Sequence, residues 1–192
     1  MSQPSSLFAT GPQVLIDDAE GGVRYLPDVV EQARARRWFD ALRDAIAWKS
    51  ERRPMYDRIV DVPRLTAGFA LVDPALLPAL REAHDCIRDH VDAPFTHVGL
   101  NFYRDGRDSV APHNDKLHSL ANGHPIALLS LGATRRMDIR DKLPPRRTRR
   151  VELEPGSLLV MSHASQHYCE HGIPKTHEPV GPRISVVFRV RP

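Results

Sequence analysis

The sequence holds two copies of a pattern that could bind a metal ion, a histidine followed two residues later by an aspartate. His113 with Asp115 forms one copy, and His90 with Asp92 forms the other. Ten histidines and 24 acidic residues make this spacing expected by chance, so the surrounding segment has to decide. The first copy ends a predicted strand, where side chains two residues apart point to one face. The second ends a predicted helix, where the helix dipole alone accounts for a histidine. His113 and Asp115 are therefore the candidate metal ligands.

A third ligand would have to come from a distant strand. Two histidines and one carboxylate on one face of a ferrous ion leave positions open for a cosubstrate and dioxygen. The candidates for this ligand are four histidines towards the C-terminus: His163, His167, His171 and His177. His167 and His171 fall on one predicted strand, residues 167–171, at an even spacing, so periodicity does not choose between them. Any one of these histidines is also explained as a surface or hydrogen-bonded core residue.

The last predicted strand, residues 183–190, carries a pattern that indicates an anion site. Its alternation places Arg183, Ser185, Val187 and Arg189 on one face and apolar side chains on the other. Arginines on an inward face are costly unless an anion or an acid meets them. A dicarboxylate would pair with a guanidinium through two parallel hydrogen bonds. The alternative is an internal salt bridge to an acid of the same protein.

These residues and their neighbours resemble a known enzyme family over roughly residues 55–190. The likeness is carried by motifs in series: Asn101 to Gly106, His113 to Asp115, Met161 to Gln166, His171 to Lys175, and Arg183 with Arg189. In this order and spacing they resemble the AlkB family, iron(II)- and 2-oxoglutarate-dependent dioxygenases that repair alkylated nucleic acids. Residues 55–66 also resemble the substrate lid of the members that act on double strands.

The resemblance implies a role for each of these residues. Fe(II) would be bound by His113, Asp115 and His171, which leaves His167 either beside a metal ligand or with a structural role. Arg183 would pair with the distal carboxylate of 2-oxoglutarate. The rest of that cosubstrate pocket would be lined by Asn101, Tyr103, Ser185 and Arg189. Family members often carry asparagine at the position of Ser185.

The implied activity is oxidative demethylation of N-alkylated bases, such as 1-methyladenine and 3-methylcytosine, in DNA and by extension in RNA. The reaction would use Fe(II), O2 and 2-oxoglutarate and would release formaldehyde, succinate and CO2. An enzyme that works on a base must flip it out of a duplex or take it from a single strand. The flipped base would stack on His113 and on Tyr56 from the lid.

The sequence departs from the family pattern directly after the metal aspartate. Repair members commonly place further acids directly after the metal aspartate, where they help to read the damaged base, but Lys116 and Leu117 stand there in this chain. Two alternatives therefore stay open. One is a 2-oxoglutarate-dependent hydroxylase of a protein or small molecule, and the other is a non-catalytic β-sandwich that binds nucleic acid.

The basic residues are concentrated in one segment. The net charge is only +3, but residues 134–150 hold eight basic and two acidic side chains, and arginines outnumber lysines 23 to 4 in the whole chain. The planar guanidinium suits phosphate oxygens. The candidates for gripping a nucleic-acid backbone are Arg146, Arg147, Arg149 and Arg150, whose contacts would position a strand without reading its sequence. The alternative is a solvated hairpin in an arginine-rich protein.

The elements that must position these residues change in character along the chain. Residues 28–46 and 74–91 show apolar side chains at helical spacing, with Asp73 and Pro74 as the predicted start of the second helix. After residue 95 the period changes to two, and eight short strands separated by turn residues are typical of a jelly roll. We therefore predict an α+β fold, a double-stranded β-helix (jelly-roll) core with two N-terminal supporting helices.

The predicted organisation is a flexible tail over residues 1–12 and a single Fe(II)/2-oxoglutarate dioxygenase domain over residues 13–192. Within that domain, residues 13–95 would form the helices and the substrate lid, and residues 96–192 the jelly-roll core. Two cysteines are too few for a disulfide-stapled secreted protein, and no apolar run reaches the roughly 18 residues of a membrane span. The N-terminal residues lack the basic start and apolar core of a signal peptide. We expect a cytoplasmic protein with no membrane association, and the resemblance implies a monomer.

Overall fold

Two antiparallel β-sheets and three helices make up the described part of the chain. The computed structural model describes residues 11–55 and 58–192, and for residues 51–55 and 58–61 it describes the backbone alone. The strands are β1 (Gln13–Ile16), β2 (Val23–Leu26), β3 (Lys49–Met55), β4 (Arg58–Ala70), β5 (His97–Tyr103), β6 (Val110–His113), β7 (Ile126–Gly132), β8 (Arg135–Asp141), β9 (Thr148–Leu153), β10 (Leu158–Met161), β11 (Cys169–Ile173) and β12 (Arg183–Arg189). The helices are α1 (Gln32–Ala45), α2 (Pro78–Arg88) and α3 (Ser165–Tyr168), and a short 3-10 turn spans Leu117–Ser119. Most of the predicted tail lies outside the described residues.

The larger sheet has eight strands in the order β1-β2-β10-β7-β12-β5-β4-β3, and the smaller has four in the order β6-β11-β8-β9. Every neighbouring pair is antiparallel. One face of the larger sheet packs against the helices, and the other packs against the smaller sheet. The strands at its centre, β7 and β12, are buried on both faces and are therefore apolar along most of their length.

Strand β12 shows how alternation sorts side chains between these two layers. Ile184, Val186 and Phe188 belong to the core beneath the helices, whereas Val187 belongs to the core between the sheets. Successive side chains of a strand point to opposite faces, so Arg183, Ser185 and Arg189 share the face of Val187 and lie towards the space between the sheets. The predicted alternation is confirmed, and it delivers polar groups into the interior.

Helices α1 and α2 cover the outer face of the larger sheet. The buried residues of α1 recur three and four positions apart, namely Ala35, Trp38, Phe39 and Leu42. Trp38 Nε1 donates a 2.9 Å hydrogen bond to Glu82 Oε2 of α2, which ties the two helices together. No helix among the described residues is long and apolar enough to cross a membrane.

Helix α2 begins later than predicted. Pro78, not Pro74, occupies its first turn, and the residue before it is Leu77. The Asp73 carboxylate accepts the N–H of Ala75 at 2.8 Å and so forms a local turn four residues ahead of the helix. A short aspartate-proline turn and a helix start share these residue types, which is why the sequence misplaced the boundary.

The predicted strand over residues 167–171 is displaced, because the observed strand begins and ends two residues later. Residues Ser165–Tyr168 form the helical turn α3, and the strand runs over Cys169–Ile173. The Ser165 N–H donates to Ser162 Oγ at 2.9 Å, a side-chain contact of the kind that starts a helical turn. As a result, His167 lies on α3 and does not share a strand face with His171.

The hairpin of β3 and β4 is the largest element that the sequence pattern does not predict. These strands carry prolines and charged residues without a clear alternation. The C-terminal half of β4 pairs with β5 from Leu65 to Ala70, and the same strand pairs with β3 on its other side. The hairpin therefore depends on the edge of the larger sheet, and tertiary pairing overrides a weak local preference.

Candidate active site

Three side chains from the smaller sheet and the loop after it form a cluster that could hold a metal ion. His113 ends β6, and its direct cross-strand partner on β11 is His171. The two imidazole ring centroids are 4.5 Å apart. Asp115 follows β6 by two residues, and one ligand atom from each of these three residues lies within 4.8 Å of the others. Among the described residues, no other group of three such side chains comes this close together. The structure brings His171 to this cluster, and not His163, His167 or His177.

The charge state of the cluster suits a metal ion. Burial and the nearby His113 lower the pKa of His171 to about 3, so its imidazole is neutral and keeps a lone pair for a metal. His113 Nδ1 lies 3.0 Å from the carbonyl oxygen of Ala111. A carbonyl accepts only, so Nδ1 carries the hydrogen and Nε2 is free to bind a metal.

The Asp115 carboxylate is fixed by Arg189. Arg189 Nε donates to Asp115 Oδ2 at 2.6 Å, and Arg189 Nη2 donates to Asp115 Oδ1 at 3.1 Å. Burial by itself raises the pKa of Asp115, but the charge and hydrogen bonds of Arg189 outweigh it, so the pKa lies below its usual value. Gly99 leaves room for this pair, because a Cβ at that position would lie 3.1 Å from Arg189 Nη1. The internal salt bridge considered for this strand is therefore formed by Arg189.

Arg183 is buried in a cavity beside the cluster. The cavity lies between the two sheets and is lined by the predicted cosubstrate residues Asn101, Tyr103, Arg183, Ser185 and Arg189 together with His113 and His171. The Arg183 side chain is fully buried, and its Nε donates to Ser130 Oγ at 3.0 Å. Within the described part of the chain, its Nη1 and Nη2 atoms have no hydrogen-bond partner.

A buried guanidinium with two unpaired nitrogens calls for an anion. Burial lowers the pKa of Arg183 to about 10, so the group still carries its charge at neutral pH. Its Cζ lies 5.4 Å from the centroid of the Tyr103 ring, which holds one side of the guanidinium plane. A carboxylate has two oxygens that match the two free nitrogens. The residues present therefore fit a metal ion in the cluster and a carboxylate cosubstrate in the cavity.

Comparison with known proteins identifies the family. The family model of the 2OG-Fe(II) oxygenase superfamily matches residues 72–189, more than half of the chain. Alpha-ketoglutarate-dependent dioxygenase alkB homolog 3 of Mus musculus is 29% identical over an alignment of 218 positions, gaps included, which covers 97% of this chain and 76% of that protein. The chain belongs to the AlkB family of 2OG-Fe(II) oxygenases. It is therefore a dioxygenase that uses Fe(II), 2-oxoglutarate and O2.

Other matches agree with this assignment. DNA oxidative demethylase ALKBH2 of Homo sapiens is 34% identical over 130 residues, which cover 64% of this chain and 50% of that protein. The solved structure of OsALKBH1 has a TM-score of 0.61 at 15% identity and covers 88% of this chain and 97% of that one. The non-heme alpha ketoglutarate dependent epimerase SnoN has a TM-score of 0.60 at 16% identity, with 89% and 81% covered. These structural neighbours confirm the predicted jelly-roll fold.

An open groove leads from this AlkB-family site to the surface. Its lining includes His113 and Asp115, so a substrate in the groove would reach the metal cluster. Basic side chains line it from several elements: Arg64, Lys116, Arg140 and Lys175. Lys116, which replaces the acid common at this position in the repair members, therefore faces the substrate side of the site. Tyr56, the predicted stacking residue, lies outside the described residues.

The four hairpin arginines differ in their surroundings. Arg146 and Arg147 are exposed in the turn between β8 and β9. Arg149 Nη1 donates to Asp141 Oδ1 at 2.7 Å, and Arg150 Nε lies 3.9 Å from Asp138 Oδ1. The turn thus presents two exposed guanidinium groups to solvent, whereas the other two arginines already face acids of the same hairpin.

The sequence missed several residues that support the site. Ser130 accepts from Arg183 Nε, and Arg64 Nε donates to Asn101 Oδ1 at 2.7 Å. Arg135 is buried and donates to the carbonyl oxygens of Asp105, Asp108 and Pro174. Ser130 faces Ser185 in the β7–β12 register, so cross-strand pairing was the signal that could have found it. The contacts of Arg64 and Arg135 join distant segments and leave no local signal.

Proposed function

We propose that this enzyme oxidatively removes methyl groups from N-alkylated bases in DNA, with RNA as a second substrate. The proposal rests on one observation: the buried guanidinium of Arg183, whose Nη1 and Nη2 have no hydrogen-bond partner among the described residues, lies in a cavity shared with His113 and His171. It supports a 2-oxoglutarate site next to a metal site, as the family requires. The substrate class rests on the relatives, of which one is named DNA oxidative demethylase.

In this proposal His113, Asp115 and His171 hold Fe(II). The two histidines come from paired strands, so the sheet fixes their separation, and Arg189 orients the Asp115 carboxylate. When bound, Fe(II) would let O2 react with 2-oxoglutarate and the N-methyl group together: one oxygen atom would enter succinate as CO2 is lost, and the other would hydroxylate the methyl group, which then leaves the base as formaldehyde.

The cavity residues would orient the cosubstrate. Arg183 Nη1 and Nη2 would bind its distal carboxylate, because Nε already donates to Ser130 and the other two nitrogens remain for a ligand in the cavity. Asn101 Nδ2 lies 3.5 Å from Ser185 Oγ, which places two more polar groups at the same cavity wall. This arrangement binds a dicarboxylate in one orientation and leaves its other end towards the metal cluster.

The groove would receive the flipped base and its flanking phosphates. Its basic rim complements a phosphate backbone, and the exposed Arg146 and Arg147 extend the positive surface to the β8–β9 turn. Phosphate contacts of this kind position a strand and carry no sequence information.

The experiment is oxidation of defined oligonucleotides. Single strands with one 1-methyladenine or 3-methylcytosine are incubated with the enzyme, Fe(II), ascorbate and 2-oxoglutarate, and their masses are compared with an unmethylated strand of the same sequence. We expect the methylated strands to lose the mass of one methylene group, with formaldehyde and succinate formed in equal amounts. The His171→Ala variant is the control for metal-dependent turnover.

A second candidate is hydroxylation of a protein or small molecule. Lys116 in the groove favours it, because a positive side chain near the reacting centre opposes a cationic methylated base. Succinate formation with an unchanged oligonucleotide mass would support this candidate and contradict demethylation. Absence of succinate with every substrate would contradict both. A cytoplasmic location and a monomeric state stay predictions, which fractionation and light scattering would test.

A further inference from the structure

Asp115 is the only member of the metal cluster that no strand holds. His113 and His171 are paired residues of neighbouring strands, so the β-ladder fixes both backbones. Asp115 lies in the loop between β6 and the Leu117–Ser119 turn. Its backbone position therefore has to be set by other contacts, since a shift of this loop moves the carboxylate relative to the two imidazoles.

Gln166 supplies one of those contacts from a distant part of the chain. The Asp115 N–H donates to Gln166 Oε1 at 3.0 Å, and the bond is buried. On the other side of the residue, Asn114 Nδ2 donates to the Asp115 carbonyl oxygen at 2.9 Å. Both peptide units of Asp115 are thus anchored by side chains, and Gln166 is the anchor that links the loop to α3.

The Gln166 side chain is itself held in one orientation. It is 2% exposed, and its Nε2 donates to Ser165 Oγ at 3.1 Å. Because Ser165 Oγ donates onward to the Ser162 carbonyl at 2.7 Å, its lone pairs face the amide, which fixes Oε1 towards Asp115. A buried amide with both ends paired has little rotamer freedom.

The turn that carries Gln166 is braced at both of its ends. At its start, Ser162 Oγ accepts the Ser165 N–H and donates to Asp18 Oδ2 at 2.6 Å, which connects α3 to the turn between β1 and β2. At its end, Lys142 Nζ donates to the carbonyl oxygens of Gln166 at 2.7 Å and His167 at 3.1 Å. A four-residue helix has little stability of its own, so these braces hold Gln166 in place.

We infer that Gln166 is a positioning residue of the metal centre, acting through the backbone of Asp115. This rests on the proposed metal site and adds a determinant of its affinity. Groups behind metal ligands change metal affinity about 10- to 100-fold when they are removed. Loss of the Gln166 acceptor leaves a buried N–H unpaired and frees the loop to relax away from the two histidines.

The test measures Mn(II) binding by electron paramagnetic resonance, without turnover, in the full-length protein. We expect Gln166→Met, similar in size but without an acceptor, to weaken Mn(II) binding about 10- to 100-fold. Gln166→Glu in its protonated form keeps an oxygen acceptor for the Asp115 N–H and a donor for Ser165 Oγ, and should recover most of this loss. Ser165→Ala is the matched comparison, because it removes the partner that orients the Gln166 amide but keeps the acceptor itself, so it should weaken Mn(II) binding less than Gln166→Met does.

Wild-type affinity in Gln166→Met, or an equal loss in Ser165→Ala and Gln166→Met, would overturn the inference. A wild-type protein that binds no Mn(II) would overturn the metal site itself, which separates the two failures. If Gln166→Met does not fold, hydrogen exchange in the unmodified protein still tests the inference. Hydrogen exchange at the Asp115 amide should be slowed well below that of an open loop, and exchange at an open-loop rate would contradict the inference.

Discussion

Replacing Arg183 with methionine should weaken 2-oxoglutarate binding without lowering the stability of the protein. The side chain is fully buried, and two of its three nitrogens have no partner within the described residues. Each charge-assisted hydrogen bond to a carboxylate contributes about 1.5–3 kcal/mol, so the loss of two bonds costs about 3–6 kcal/mol. This corresponds to a roughly hundredfold to ten-thousandfold weaker 2-oxoglutarate Kd.

The same substitution should not destabilise the protein without ligands. Arg183→Met removes a buried charge of which only one nitrogen in three is paired, and methionine fills a similar volume. Ser130 Oγ keeps its 3.2 Å bond to the Leu153 carbonyl. We expect the free energy of unfolding to stay the same or to rise by about 1 kcal/mol.

Arg135 offers a matched control in the same layer. It is also buried, but its guanidinium donates to three carbonyl oxygens at 2.7–3.0 Å. Arg135→Met should therefore lower the free energy of unfolding by about 2–4 kcal/mol. Calorimetric titration with 2-oxoglutarate in the presence of Mn(II), and denaturant unfolding without either, measure the two quantities. A 2-oxoglutarate Kd in Arg183→Met within threefold of wild type, or unfolding that resembles Arg135→Met, would refute the reasoning.

Three further variants test other parts of the site. Arg189→Met removes both hydrogen bonds to the Asp115 carboxylate and should weaken Mn(II) binding about 10- to 100-fold; an unchanged titration would speak against a role for this pair. Replacing Arg146 and Arg147 by glutamine should weaken the salt dependence of single-strand binding: the slope of log binding constant against log salt concentration should fall by about 1.4 in magnitude. Fluorescence anisotropy measures this slope, and 2-oxoglutarate turnover should persist. A slope equal to that of the wild type would mean that the turn is only solvated. Lys116→Glu should raise the ratio of activity on cationic 3-methylcytosine to that on neutral 3-methylthymine about fivefold, and a ratio that falls would exclude an electrostatic role.

Local periodicity predicted the strands that carry the cosubstrate residues. The alternation of residues 97–103 predicts a strand with the bounds of β5, and β12 ends one residue before the predicted strand over residues 183–190. Each of these strands has the apolar core beneath the helices on one face and the polar site on the other, so its residues alternate between apolar and polar. The apolar neighbours Ile184 and Val186 are enough to predict that Arg183 faces the opposite side of the strand, between the sheets.

Local periodicity does not predict the contacts that complete the site. Ser165 and Gln166 lie in a segment whose histidines and tyrosine favour a strand, but serine hydroxyls turn the backbone into α3. Periodicity could not select His171 over His167, and only the register of β11 against β6 brings His171 opposite His113. The partners of the Asp115 loop are 51 and 74 residues away in sequence, and no local pattern reports such pairing.

The most direct test of the account is a crystal structure of the enzyme with Mn(II) and 2-oxoglutarate. The account predicts one Mn(II) ion bound by His113, Asp115 and His171, with the distal carboxylate of 2-oxoglutarate on Arg183 Nη1 and Nη2. A metal held by other residues, or a 2-oxoglutarate molecule that leaves the Arg183 guanidinium unpaired, would contradict it.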